Sequence, residues 1–304
     1  MADRDKRRIQ IAFALLLLGA AAVALSPILV RVSEIGPTAT AFYRVAFALP
    51  GMWAVAMARR RGGVSVPTTR RQRLVLGLAG ALFAGDLALW HSSLDFTLVA
   101  NATLFANAAP IFVTLVAWLV FGERMTLGFL AGLAVTIVGA GVLTGESMAL
   151  DPSYALGDAM ALGAGAFYGG YILAVSRLRA RFTTLDIMMW GSLGSAIVLL
   201  PLTLAMGESL LPETAEGWAV LVALGLVSHA GGQGLVAYAL AHLPVSLSSV
   251  SLLLEPVLAA GFAWVLFGEM LGPVQIAGGL IVLLGVLWCR YASLKRRAVS
   301  PQAQ

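Results

Sequence analysis

Ten runs of mostly apolar residues divide this chain, near 11 to 31, 38 to 58, 74 to 93, 98 to 120, 127 to 144, 156 to 176, 187 to 206, 218 to 239, 246 to 267 and 273 to 291. An α-helix rises about 1.5 Å per residue, so about 20 apolar residues cross a hydrocarbon core ~30 Å thick. Inside that core each backbone N–H and C=O must be bonded within the protein, and a single apolar run achieves this only as a helix. The runs therefore predict an all-α membrane protein with ten transmembrane helices. The connections are short, the longest being Arg59 to Arg73 and the stretch around Gly207 to Gly217. With 60% hydrophobic and 12% charged residues there is too little charge to cover a water-facing surface.

The first run follows a basic start (Arg4, Lys6, Arg7, Arg8) and contains Ala22-Val23-Ala24, which together look like a secretion signal. No soluble domain follows, so it reads as an uncleaved first helix. The net charge of +5 does not point to nucleic acid, because the basic residues sit in short clusters at the flanks of apolar runs. Cys289 is the only cysteine, and His91, His229 and His242 are too scattered for a zinc site. No cofactor or metal is expected.

Orientation follows from Lys and Arg in the loops. With the N-terminus inside, the inner segments hold 18 of the 20 basic residues: the four at the start, Arg59 to Arg61 with Arg70, Arg71 and Arg73, then Arg124, Arg177, Arg179 and Arg181, and finally Arg290, Lys295, Arg296 and Arg297. Arg31 and Arg44 are the exceptions. Glu34, Asp95, Glu146, Asp151, Glu208, Glu213, Glu216 and Glu269 fall outside. Both termini are thus expected in the cytoplasm, and tags at Gly63 and Ser209 are expected on opposite sides.

The chain also repeats itself. Residues 110 to 143 superpose on 256 to 289 at a constant offset of 146, without a gap, with nine identities in 34 positions. The identities include Pro110 with Pro256, Trp118 with Trp264, and Phe121-Gly122-Glu123 with Phe267-Gly268-Glu269. Two repeats are expected, 11–144 and 156–291, each of five helices. Five is odd, so the second repeat is inserted upside down relative to the first. A site between inverted halves can be opened to either side by exchanging their conformations.

Pro110 and Pro256 fall within the fourth and ninth runs, where each frees a carbonyl four residues earlier, at Ala106 and Leu252. Such a carbonyl can be satisfied by a wet cavity or packed inside a kink. Polar residues gather just before them: Thr103 and Asn107 in the fourth run, with Thr114 further on, and Ser248, Ser251 and Glu255 in the ninth, at spacings that share a helix face. A carboxylate near the bilayer centre costs about 2.5 to 3.5 kcal/mol, so Glu255 should face the interior. Asp86 and Trp90, His229 and Gln233, and Tyr168 and Tyr171 add polar positions in helices 3, 8 and 6. Arg44, in helix 2, reads as a structural counter-charge to an interior carboxylate, and Pro110 and Pro256 as structural breaks. Asp158 reads as the N-cap of helix 6. Gly132 with Gly139 and Gly278 with Gly285 form small-residue faces suited to close helix packing.

The proline-to-FGE spacing in both repeats, the context AFYRVAFALP around Arg44, the Glu255-Pro256 pair and the Gly157-Asp158 opening of the second half resemble the drug/metabolite transporter superfamily, in its ten-helix form built from two EamA-type repeats. The likeness runs from about Ile11 to Tyr291. It implies a gradient-driven carrier in the bacterial cytoplasmic (inner) membrane, often an exporter of amino acids, other metabolites or toxic compounds. It also implies a central cavity lined by helices 1, 3, 4, 6, 8 and 9. On this chain that cavity would be faced by Asp86, Trp90, Asn107, Tyr168, His229, Gln233, Ser251 and Glu255. Family members vary at the position of Asp86, so the resemblance gives that residue no role.

The expected function is secondary export of small organic metabolites such as amino acids or related amines, by alternating access. The partners are a small-molecule substrate and the lipid bilayer, with protons as a candidate coupling ion and no nucleic acid. A multidrug or toxic-compound exporter is the alternative, followed by a passive channel or an intramembrane enzyme. Ser228 and His229 do not argue for hydrolysis, since adjacent residues point about 100° apart on a helix. With no P-loop, energy must come from an ion gradient, exchange or downhill flow.

Overall fold

The computed structural model describes residues 2–58, 67, 69–93, 95–97, 99–145, 152–268 and 272–299. These form ten helices: α1 (Ala2–Ala24 and Ser26–Arg31), α2 (Pro37–Ala46 and Ala48–Ala58), α3 (Arg70–Ser93), α4 (Val99–Ala106 and Ala109–Leu119), α5 (Leu127–Gly145), α6 (Ala155–Leu178), α7 (Thr184–Ala205), α8 (Ala215–Ala239), α9 (Val245–Phe267) and α10 (Pro273–Val299). Eight are long and apolar enough to cross a bilayer, and α4 and α5 are shorter apolar helices. Leu18, Ile197 and Leu284 are exposed on the outside of the bundle, as contact with lipid tails requires.

Five of the helices are not wound uniformly, and only two of the breaks are announced by the paired prolines. α4 stops at Ala106 and resumes at Ala109, just ahead of Pro110. α9 tightens into a 3₁₀ turn over Leu252–Leu254 before resuming at Glu255, beside Pro256. α1 breaks at Leu25 before Pro27, and α2 at Phe47 before Pro50. Each follows from a proline that cannot donate to the preceding turn. The centre of α8, Leu224–Gln233, is π-helical. Such bulges are rare and recur at functional sites.

The helix pairing has a regularity of its own. α3 packs on α6 and α8 on α1; α4 packs on α6 and α9 on α1; α3 packs on α7 and α8 on α2. α2 packs on α7, α4 on α9 and α5 on α10. Adding five to each helix number turns every one of these contacts into another on the list or into itself. The duplicated FGE turns share a backbone too: Gly122 and Gly268 have φ of 66° and 69°, a left-handed conformation that glycine adopts without a Cβ clash. The matched Trp118 and Trp264 both face outward, 55% and 52% exposed.

α5 and α10 are the most closely packed pair, and glycine is the reason. A Cβ on Gly132 would lie 2.9 Å from the backbone N of Cys289, one on Gly139 2.6 Å from that of Val282, and one on Gly285 2.7 Å from that of Thr136. Gly278 meets the backbone of Leu143 in the same way. Without a hydrophobic drive between helices in lipid, this close van der Waals contact holds the pair together.

Candidate functional site

A cavity of about 660 Å³ runs from the middle of the bundle to the helix ends farthest from the two termini. Its size lies within the roughly 300 to 1,000 Å³ typical of small-molecule sites. Arg31, Ile35, Pro37 and Gln275 stand around the mouth, and Arg44, Asp86, Asn107, Tyr168, Gln233 and Glu255 line the depth. At the opposite end of the bundle Ser246, in the first turn of α9, donates its hydroxyl to Glu123 of the α4–α5 turn.

The deep side chains come from six helices. Asp86 and Trp90 lie one turn apart on α3 and both reach the cavity. His91 beside them is fully buried, with Nδ1 2.7 Å from the Pro37 carbonyl. A carbonyl only accepts, so Nδ1 carries the proton, and the bond ties α3 to the start of α2. Asn107 sits in the break of α4 with Nδ2 unpartnered. On α8, Gln233 is 2% exposed, and its Nε2 donates to the Tyr168 hydroxyl of α6 at 3.3 Å. Glu255 opens the last segment of α9, and its Oε1 is buried without a partner.

Arg44 is 5% exposed and faces the same space. Its Nη1 donates to Ser26 Oγ at 2.7 Å, and the guanidinium lies 5.7 Å from the centre of the Phe83 ring. No ion pair joins it to a carboxylate among the described residues. The expected neutralisation of an interior acid is therefore not by direct contact. Two carboxylates and one guanidinium stand on one cavity wall, with Arg44 Nε and Glu255 Oε1 buried and unpartnered.

Six of the eight residues read from sequence thus line the cavity, and His229 and Ser251 do not. His229 is turned away from the cavity: its Nε2 is 2.8 Å from Ser192 Oγ on α7, and its ring stacks on Phe83 at 5.1 Å. Ser251 is fully buried and returns its hydroxyl to the Leu247 carbonyl at 2.8 Å. The shared face with Glu255 assumed α-helical winding. The 3₁₀ turn between them has about 3.0 residues per turn rather than about 3.6, which rotates Ser251 off that face. Asp158 is not an N-cap either: α6 is preceded by Tyr154, and Asp158, within the first turn, accepts from Thr97 of the α3–α4 connection at 2.5 Å. Of the carbonyls freed by the prolines, that of Ala106 belongs to a cavity-lining residue packed against Gly165, whereas Leu252 is buried elsewhere. The side chain of Thr103, and Gly63, Glu146, Asp151 and Glu269, lie outside the described residues.

Sequence reading missed Ser26, Thr40 and Gln275 at this site, and noted His91 beside Trp90 without giving it a role. The partnership of Ser26 with Arg44 spans 18 residues and two helices, so no local pattern could announce it. What adjacency to Trp90 did not give for His91 is its bond to the carbonyl of Pro37 on another helix.

The EamA-like transporter family matches residues 10–145 and again residues 155–291. The chain is 34% identical over 197 residues to a probable terminal-alkyne amino-acid exporter of Streptantibioticus cattleyicolor, covering 65% of this chain and 66% of that protein. It is 28% identical over 218 residues to the pseudopaline exporter of Pseudomonas aeruginosa, covering 70% of this chain and 72% of that one. It is 28% identical over 211 residues to the threonine/homoserine exporter of Escherichia coli, covering 68% of each. A protein of known crystal structure superposes with a TM-score of 0.80 at 19% identity, over 93% of this chain and 98% of that one. At that identity the likeness is one of fold.

Proposed function

The chain belongs to the EamA-like transporter family, and from that premise we propose that it is a secondary transporter exporting small organic metabolites, amino acids or related amines, by alternating access. The observation that carries this reading is a cavity that reaches one end of the bundle and has acidic, basic and amide groups at its depth. The pairing that repeats on a shift of five helices supports two repeats, 11–144 and 156–291, of opposite orientation. Exchanging the conformations of the two halves would close the present mouth and open the end now tied by Glu123 and Ser246. The charge asymmetry of the loops supports a cytoplasmic position for both termini, and on that reading the mouth faces outward.

Within the cavity Asp86 and Glu255 serve as the acidic groups, and Asn107, Tyr168 and Gln233 as the neutral hydrogen-bonding ones. Trp90 supplies an aromatic face near the mouth. Glu255 is the residue that couples movement to an ion or a substrate amine, because its buried Oε1 has no protein partner and its helix restarts there. The relatives named as amino-acid exporters support the substrate class.

A second reading, export of cationic toxic compounds, is favoured by the excess of carboxylates over guanidinium at the cavity depth and by its largely apolar wall. Proteoliposomes separate these. Purified protein is reconstituted, a pH gradient is imposed, and uptake of labelled amino acids, primary amines and cationic drugs is followed. Accumulation of an amino acid or amine above equilibrium supports the proposal. Accumulation of drugs alone favours the second reading, and equilibration without accumulation for every solute marks a passive channel.

A further inference from the structure

Arg44 is an unusual group to find with so few partners. A guanidinium carries five N–H donors, and one buried in an apolar interior is ordinarily saturated by acceptors, because each unmet donor keeps its desolvation penalty. Here one donor, on Nη1, goes to Ser26 Oγ. Nε is buried without a partner. Among the described residues Nη2 has no hydrogen-bond acceptor either, so the edge formed by Nε and Nη2, the fork that takes the two oxygens of a carboxylate, is unfilled by them. Asp86 and Glu255, which could have filled it, share the cavity wall but form no ion pair with it. Ser26 holds one side of the guanidinium and the Phe83 ring lies beside it, so the group is fixed rather than free to seek an acid.

Resting on the transporter reading above, we infer that Arg44 is the anchor for a substrate carboxylate, which makes the cavity a two-pole site for solutes carrying both a carboxylate and an ammonium group. The opposite pole is acidic. Glu255 presents a buried, unpartnered Oε1, and Asp86 is the second carboxylate on the wall. Arg44 thereby becomes a specificity residue, not only a counter-charge. An amine lacking the carboxylate leaves the fork empty, and an acid lacking the amine leaves two carboxylates unmatched.

The test uses the purified full-length chain in nanodiscs and isothermal titration with two matched series. One is L-threonine, 1-amino-2-propanol and 3-hydroxybutyrate; the other is L-leucine, isoamylamine and 4-methylpentanoate. In at least one series the amino acid should bind on the order of tenfold tighter than its amine, the size of a charge-assisted hydrogen bond. Arg44→Gln should abolish that preference. Equal binding of amino acid and amine by the unmodified protein in both series overturns the inference even if Arg44→Gln fails to fold. So does an undiminished preference in a folded Arg44→Gln. If none of the six compounds binds, the inference falls, while accumulation of another solute in proteoliposomes would still leave the transporter reading standing.

Discussion

Glu255 stands at the start of a helical segment, next to a proline, on the wall of a cavity, with one carboxylate oxygen buried and unbonded. A group so placed must be given a partner by something that enters the cavity, by a proton or a substrate amine. Glu255→Gln keeps the shape and one acceptor while removing the charge. It should leave the amount and melting temperature of the protein close to wild type and abolish binding or pH-dependent transport of an amine-bearing solute, read by titration and by proteoliposome uptake. An unchanged pH profile in the variant would pass the coupling role to Asp86. The spacing of Asp86 with Trp90, and the cost of a carboxylate in the membrane, were enough to mark residues that line the cavity. His229 and Ser251 escaped the same reasoning because their hydrogen bonds are decided by Ser192 on another helix and by a local change of winding. Periodicity cannot encode either.

At the scale of helices, two features carry the packing. The glycines of α5 and α10 let their backbones touch; the small-residue spacing marked each face as suited to close packing, but not that the two faces meet. Gly285→Val should force the helices apart against Thr136, lowering stability by about 1 to 3 kcal/mol, the usual range for an overpacked contact, and reducing folded yield in a thermal-melt assay. The second feature joins the α1–α2 turn to the α7–α8 connection. Glu208 accepts from the backbone N–H groups of Thr38 and Ala39 at 3.2 and 2.7 Å, capping α2, while Glu34 accepts from Glu213 and Thr214 at 2.9 and 3.1 Å and from the hydroxyl of Thr214, the residue that caps α8 by accepting from Gly217 N–H. Each carboxylate lies where a side chain on Gly36 or Gly217 would stand. A carboxylate at a helix N-terminus is favoured by the unbonded amides and the helix dipole. The Thr214 hydroxyl first, and then the backbone amides, hold Glu34 below the ordinary carboxylate value of 4.5. A lowered folded-state value means that its contribution is fully present above 4.5 and is lost as the pH falls through the folded value. The melting-temperature gap between wild type and Glu34→Gln should therefore be widest near pH 7 and narrow below 4.5. A gap constant down to pH 3 would mean that the carboxylate's charge is not what stabilises the start of α8. This cross-connection joins residues more than 160 apart, and nothing local in the chain announced it.

For the molecule as a whole, ten helices followed from run length and the bilayer's thickness, and the duplicated motif drew attention to the two halves. The π-helical centre of α8 did not follow, because it depends on which side chains meet across the bundle, and the breaks in α1 and α2 come from Pro27 and Pro50, which lie outside the repeated motif. Orientation can be checked with Cys289→Ala as background and single cysteines at Ser209 and Arg181: an impermeant maleimide should label intact cells at the first and only permeabilised cells at the second. Labelling of both from outside would contradict the ten-helix orientation. The central claim is that the two ends of the cavity open in alternation. Pulsed electron-electron resonance distances measure this directly, from one spin-label pair at Val32 and Ile276 across the mouth and another at Leu127 and Ala241 across the closed end, all four positions being exposed. Alternating access predicts two populations in each pair, with conditions that shorten the Val32–Ile276 distance lengthening the Leu127–Ala241 distance. A single fixed distance in both pairs under every gradient and solute tested, or both ends lengthening together, would contradict it.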